Sequence, residues 1–374
     1  MGKSKSVIIS NFFEPEFSYQ EVQIAETLHR LGHEVTVVTS NRSQFDKNKR
    51  INEDNNSYKV IRLNKIIKLS TTIFFAFYKY GLLKKLNPDN VILVHPTWGL
   101  PFHLLRAIPK QAQTISLFGD LEDHSSTSIK GRLSRILFKN YWTRKSIKKS
   151  DRVIANTMQT VEILKSKLRN PKDAKKIVMT GLGYDKSIFN FDESLRKEYR
   201  KRQNVNDKKV IITITRIVEY KHIFEHIKPI LKAIERDKEL VYVLVGFNDT
   251  AYAKDLKKKL LESDFSNQLI LLDFQDPEKL NALLNIADVG YWYRPSISIQ
   301  QALGTGLFVM LPTYSYKNTL NHLLENEVSG YYYDSNRDLT EKLSNFSFDY
   351  DRKKNEEINY KFSYEYLLIN KILK

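Results

Sequence analysis

Short apolar runs alternate along this chain with stretches whose apolar residues return every three or four positions. Val7, Ile8 and Ile9 form a first buried-type run. After the loop NFFEPEFSY, the spacing of Val22, Ile24, Ala25 and Leu28 predicts a helix from about Tyr19 to Leu31, stopped at Gly32. EVTVVT, Glu34–Thr39, is the next strand, and similar runs stand at Val91–Val94, Thr114–Phe118, Val153–Ala155 and Ile177–Met179. Strands that are apolar throughout predict parallel pairing with both sheet faces covered. From Asp192 to Lys209 the chain turns polar, and then the pattern restarts. It reads as strand Val210–Thr215, helix Ile223–Ile234, strand Val241–Val245, helix Ala253–Leu261, strand Leu269–Leu272, helix Leu280–Ile286, strand Val289–Trp292, a turn at Gln300–Leu303 and strand Phe308–Leu311. The fold class is therefore α/β: two doubly wound, Rossmann-like domains in succession, expected to face each other across a cleft. Their expected bounds are 1–190 and 191–355, with a C-terminal helix over 356–374 packing back on the first domain.

Composition narrows the class. A chain of 374 residues with 41% hydrophobic residues has material for two cores. Cysteine is absent, which excludes disulfides and thiolate metal sites and fits a reducing compartment. No run reaches the ~18–20 uncharged apolar residues of a membrane span, and MGKSKSVIIS has too short an apolar run for a signal peptide. The net charge of +17 is lopsided: residues 1–190 hold 32 Lys and Arg against 16 Asp and Glu, and residues 191–374 hold 28 against 27. An anionic surface or substrate is expected to meet the first half.

The stretch RPSISIQQALGTGLFVML, Arg294–Leu311, offers the first candidate chemistry. Ser298 and Gln301 have the spacing of a capping box. A helix start there would present free N–H groups and a positive dipole end to a phosphate, with Ser296 and Ser298 as added hydroxyl donors. Arg216 leaves a buried strand in ITITR, and Lys221 follows five positions later. An Arg that can bond bidentately and a mobile Lys beside it would neutralise a diphosphate.

The order of several motifs then resembles glycosyltransferase family 4, the retaining nucleotide-sugar enzymes of the GT-B fold, over nearly the whole chain. HRLGHEVTVVTSN, SDRVIANT, GLGYDKSIF, TRIVEYK, IADVGYW, QQALGTGLFVML and VSGYYYD carry the resemblance. It implies that the first domain takes the acceptor and the second the donor, with Arg216, Lys221, Ser296, Ser298 and Gln301 binding the nucleotide sugar. It also implies that an acid or His at the end of a first-domain strand lies close to the transferred sugar. In ISLFGDLEDHSS the candidates are Asp120, then His124, with Asp123 behind them. No catalytic metal or other cofactor is expected. Two departures stand out. The family's paired glutamates, eight positions apart, are replaced by Tyr293 and Gln301, and FSYQE, Phe17–Glu21, stands where many members have paired glycines. The Gln301 amide can still bond ribose hydroxyls.

Lys130–Arg152 carries nine Lys and Arg and one acid, interleaved with Leu133, Ile136, Leu137, Tyr141 and Trp142. This basic, aromatic stretch predicts attachment to an anionic membrane surface, unless its apolar face is simply core. No nucleic-acid module is present, so no nucleic acid is expected. The reading is a cytoplasmic glycosyltransferase on the inner face of the cell membrane, acting on a lipid-linked saccharide in polysaccharide synthesis. A soluble or protein acceptor, or a non-catalytic binding subunit of the same fold, are the alternatives.

Overall fold

The computed structural model describes residues 3–17, 19–44, 49–51, 56–64, 66–68, 74–76, 81–119, 140–313, 320, 322–324, 328–346 and 350–374. The chain forms two compact units, Met1–Leu182 with Tyr364–Lys374, and Gly183–Ser363.

The first unit is built on a parallel sheet of seven strands: β1 (Lys5–Ile9), β2 (Glu34–Ser40), β3 (Lys59–Leu63), β4 (Asn90–Val94), β5 (Gln113–Phe118), β6 (Arg152–Ala155) and β7 (Ile177–Met179). Their order is β3-β2-β1-β4-β5-β6-β7. Both faces are covered. Ile8, Ile92, Ile115 and Ile154 point into one core, while Val7, Ile9, Val91 and Leu93 point into the other. The helices α1 (Gln20–Arg30), α2 (Asn140–Lys149) and α3 (Met158–Ser166) belong to this unit. Tyr364, Leu367, Leu368 and Ile372 of the C-terminal segment are buried in the same core as α1 residues Ile24, Ala25 and Leu28.

The second unit holds a parallel sheet of six strands: β8 (Lys209–Ile214), β9 (Leu240–Phe247), β10 (Leu269–Asp273), β11 (Val289–Tyr291), β12 (Phe308–Pro312) and β13 (Gly330–Tyr333). The order β10-β9-β8-β11-β12-β13 is that of a dinucleotide-binding fold. Val210 and Ile212 face one core and Ile211 the other. The helices that matter for the site are α4 (Ile223–Arg236) and α5 (Ile297–Gly304). Tyr184 and Phe189 are buried here. The Tyr184 ring lies so close to Gly304 at the end of α5 that a Cβ on Gly304 would meet it at 2.4 Å.

Two features differ from the sequence-based expectation. Gln300–Leu303 is the interior of α5, not a turn. The strands β3 and β13 were not expected; both lie at sheet edges, where half-buried residues blur the continuous apolar run.

Candidate functional site

In an open parallel sheet, ligands bind outside the carboxyl ends of the strands, where strand order reverses. In the second unit the reversal lies between β8 and β11, which pair through Ile211 with Val289 and Ile212 with Gly290. Two chain segments leave this point. After β8, the Thr215 N–H donates to the Val245 carbonyl at 3.0 Å and the Ile217 N–H to the Gly246 carbonyl at 3.1 Å. Ile217 is fully buried, which leaves the intervening Arg216 exposed. Gly246 has φ +117, and a Cβ there would lie 2.1 Å from the Thr215 carbonyl oxygen. Only glycine allows β9 to come so close. The chain then folds back, and the Lys221 ammonium donates to Thr215 Oγ1 at 2.8 Å.

After β11, the Trp292 indole N–H lies 3.0 Å from the Ile214 carbonyl and 2.9 Å from Ser298 Oγ. Ser298 Oγ donates to the same Ile214 carbonyl at 3.0 Å, and Ser296 Oγ lies 2.8 Å from Ser298 Oγ. This knot fastens the start of α5 to the end of β8. The Tyr293 ring stacks on His226 of α4 with centroids 4.0 Å apart and planes 11° apart. Arg294 comes next and is half-buried.

Three cations thus share one corner. Burial first, then the guanidiniums of Arg216 and Arg294, push the Lys221 ammonium from 10.5 down to about 8. Among the described residues neither Arg216 nor Arg294 has a hydrogen bond or ion pair. No Asp or Glu occurs from Val289 to Thr313. Glu219 lies between Arg216 and Lys221 in the chain and Glu225 acts on His226, so acids are present on the first segment. Cations gathered at a strand-end switch point and beside a helix start are suited to an anion.

All five expected donor-site residues lie on these two segments. Arg216 and Lys221 converge. Ser296 is the N-cap of α5, accepting from the Ser298 N–H, so the expected Ser298–Gln301 capping box is not formed. Ser298 gives its hydroxyl proton to Ile214 and Ser296 gives its own to Ser298, so the serines shape the helix start and present no spare donor. Gln301 is buried one turn further on, and its amide has no hydrogen-bond partner among the described residues.

The expected catalytic candidates Asp120, Asp123 and His124 lie outside the described residues. Their approach is described. In the first unit the strand order reverses between β1 and β4, and His95 stands at the end of β4 with φ 50 and ψ 63. The ring stacks on Trp98 at 4.3 Å, and Nδ1 accepts from the Gly119 N–H at 3.3 Å. The Gly119 carbonyl accepts from Thr160 Oγ1 at 3.0 Å. Burial pushes the His95 imidazole from 6.5 down to about 4, so it is neutral at pH 7. With Nδ1 accepting, Nε2 carries the proton. In α1, Glu21 is buried, and burial raises its carboxyl from 4.5 to about 7, with Glu14 adding a further rise.

Sequence reasoning missed Arg294, His95 and Glu21. Arg294 and His95 each follow a buried strand closely, the same signal that singled out Arg216. Glu21 sits three, four and seven positions before the buried apolar Ile24, Ala25 and Leu28, so helical spacing places it on the covered face.

The stretch Lys130–Arg152 is described from Asn140. In α2 Trp142 and Ile147 are core residues, with Trp142 stacked on Phe102 at 5.1 Å. Trp142 and Ile147 are therefore not available to lipid, Tyr141 is exposed, Leu133, Ile136 and Leu137 lie outside the described residues, and Arg144, Lys145, Lys148 and Lys149 form an exposed basic face. Lys176, from the neighbouring turn Pro171–Lys176, reaches the Lys148 carbonyl at 3.5 Å and adds to it. Among the described residues, no helix is long and apolar enough to cross a membrane.

Residues 22–186 match the family described as Glycosyltransferase Family 4, and residues 196–291 match Glycosyl transferases group 1. No curated protein sequence matches the chain. Several solved structures share the fold. A glycosyltransferase from Rickettsia africae is 16% identical with a TM-score of 0.68, the alignment covering 99% of this chain and 97% of that one. HepE from Anabaena in complex with UDP is 13% identical with a TM-score of 0.65, covering 98% of both chains. WaaG, a glycosyltransferase involved in lipopolysaccharide biosynthesis, is 13% identical with a TM-score of 0.64, covering 97% of both.

Proposed function

The chain is a family 4-like glycosyltransferase of the GT-B type, and from that premise we propose that it transfers a sugar from a nucleotide-diphosphate sugar, with retention of configuration, to a hydroxyl of a lipid-linked saccharide. The observation that carries the donor half is the gathering of Arg216, Lys221 and Arg294 at the β8/β11 switch point. HepE has been crystallised with UDP and with UDP-glucose, which supports a nucleotide donor. As the bond between sugar and phosphate breaks, negative charge collects on the departing diphosphate. Fixed cations and the α5 start stabilise that charge without having to reorganise. The reading needs no metal cofactor. Gln301 would bond the ribose hydroxyls through its amide.

In the first unit, neutral His95 offers its Nε2–H to a sugar hydroxyl, and Asp120, Asp123 and His124 keep their proposed place beside the transferred sugar. The basic face of α2 holds the protein to an anionic membrane surface on the cytoplasmic side through charge. WaaG's role in lipopolysaccharide synthesis supports a lipid-linked acceptor. Calorimetric titration with UDP and GDP tests the donor assignment. Arg216→Ala should cost about 2–5 kcal/mol of binding, as for a truncated charge partner. Unchanged affinity in both Arg216→Ala and Lys221→Ala overturns it.

A further inference from the structure

We propose that Tyr184 is a positioning residue of the donor site. Through Gly304 it ties α5, whose start would take the diphosphate, to the two points where the chain passes between its compact units. The proposal rests on the donor reading above and adds to it a link between nucleotide binding and those crossings.

α5 has eight residues, so it is a rod about 12 Å long. Its start is fastened by Ser298 to the Ile214 carbonyl and the Trp292 indole. Its end is fastened too. Arg352 Nε donates to the Thr305 carbonyl at 3.0 Å and Asn355 Nδ2 to the Gly306 carbonyl at 2.9 Å, both from α6 (Arg352–Asn359). Gly306 has φ +66, and a Cβ there would lie 2.1 Å from the Arg352 carbonyl oxygen, so α6 comes as near as glycine allows. Gly304, the last residue of α5, is a poor helix former. The ring of Tyr184 accounts for it: a Cβ on Gly304 would meet the ring atoms Cε2, Cδ2 and Cζ at 2.4, 2.6 and 2.7 Å.

Tyr184 is in turn fixed to the crossings. The chain enters the second unit at Gly183 and leaves it after Ser363. One residue inside the entrance, the Tyr184 N–H donates at 3.2 Å to the carbonyl of Phe362, one residue before the exit, and Tyr184 pairs with Ser363 in a parallel bridge. Entrance and exit are thus hydrogen-bonded to each other, and the end of α5 is seated on them through a fully buried ring. α6 leads into the same exit through Tyr360–Phe362. Gly181, just before the entrance, has φ +77, a conformation that glycine adopts without strain. Closely packed interiors pass displacements on instead of absorbing them. A nucleotide that draws on the start of α5 therefore bears on the crossings, and a shift at the crossings bears on the nucleotide site.

Hydrogen exchange on the full chain, with and without UDP or GDP, reads this link. A bound nucleotide should slow exchange at least threefold in peptides spanning Gly181–Phe189 and Tyr360–Tyr364, as well as in α5. Calorimetry then compares variants at a temperature where thermal melts show them folded. Gly304→Ala should weaken nucleotide binding at least fivefold and abolish the slowing at the crossings. Adding Tyr184→Val removes the three ring atoms that the new methyl would meet, and should bring affinity back to within twofold of the wild type. A ring that only filled the core would give no such rescue, because the second change takes more of the core away. A nucleotide that binds the wild type and leaves exchange at the crossings unchanged overturns the proposal, whether or not Gly304→Ala folds, and leaves the donor reading standing. So does a folded Gly304→Ala that binds the nucleotide as the wild type does. Failure of UDP and GDP alike to bind overturns both.

Discussion

Lys221 is a sensitive probe of where the diphosphate lies. Its ammonium stands at about 8 instead of 10.5, first because it is buried and then because two guanidiniums face it. At 1.36 kcal/mol per unit, the charged form is disfavoured by roughly 3 kcal/mol. A diphosphate bound in this corner sets negative charge against the ammonium and should return its pKa toward the ordinary value. Binding is then linked to proton uptake. At pH 8 the free protein holds about half a proton on Lys221 and the complex nearly a whole one, so about 0.5 proton is taken up. Affinity follows the protonated fraction. It should be nearly flat below pH 7, about twofold weaker at pH 8 and about tenfold weaker at pH 9. The sign follows from the depressed pKa: binding is lost as pH rises through 8, not as it falls. Calorimetry with a nucleotide sugar, repeated in buffers of different ionisation enthalpy, reads the proton count directly. Lys221→Arg should keep binding and flatten the profile. Wild-type affinity that is constant from pH 7 to 9, with no buffer dependence, refutes the placement of the diphosphate beside Lys221.

Glu21 has a folded-state pKa of about 7, raised above 4.5, so the stability tied to it is present below 4.5 and is lost as pH rises through 7. Glu21→Gln should therefore raise the melting temperature more at pH 8 than at pH 5, by up to roughly 3 kcal/mol in stability; an equal shift at both pH values contradicts the raised carboxyl. A methyl on Gly119 would lie 2.4 Å from His95 Cε1, so Gly119→Ala should displace the ring and cost about 1–3 kcal/mol. Turnover should fall at least tenfold while nucleotide affinity holds, and wild-type turnover shows that His95 has no part in transfer. Anionic vesicles should bind the protein at about 1 kcal/mol per well-placed cation, less in high salt, and binding should fall when Arg144, Lys145, Lys148 and Lys149 become Glu. Equal co-sedimentation with neutral vesicles would mean that something other than charge holds the protein to lipid.

The central strands were readable because burial on both faces leaves continuous apolar runs, as in Val7-Ile8-Ile9 and Val210–Thr215. The edge strands β3 and β13 mix Lys59 and Arg62, or three tyrosines, into a half-exposed ladder, and nothing local marks them. At the site, Arg216 and Lys221 were legible because a cation that leaves a buried strand has few places to go. The roles of Ser296 and Ser298 were not. The Ser298 hydroxyl is spent on the Ile214 carbonyl, 84 residues away, and the Trp292 indole across a turn, the Ser296 hydroxyl is spent on Ser298, and only the sheet brings these together. The capping-box spacing of Ser298 and Gln301 was a real local pattern that the tertiary contacts overrode, because Ser298 was needed inside the helix to reach Ile214.

The first unit cannot be completed by the part of the chain that is made first. Tyr364, Leu367, Leu368 and Ile372 fill its core, yet they follow the whole of the second unit in the sequence. At about 1.5–3 kcal/mol for each buried side chain, they contribute on the order of 6–12 kcal/mol, comparable with the entire stability of an ordinary domain. During synthesis at about 5–20 residues per second, the nascent first unit waits roughly 10 to 40 s with that part of its core open. Over this interval it is a target for chaperones and proteases, and the ribosome releases the last missing pieces of the oldest unit only after the younger one has emerged. A fragment ending at Leu182 should inherit the same exposed core for good.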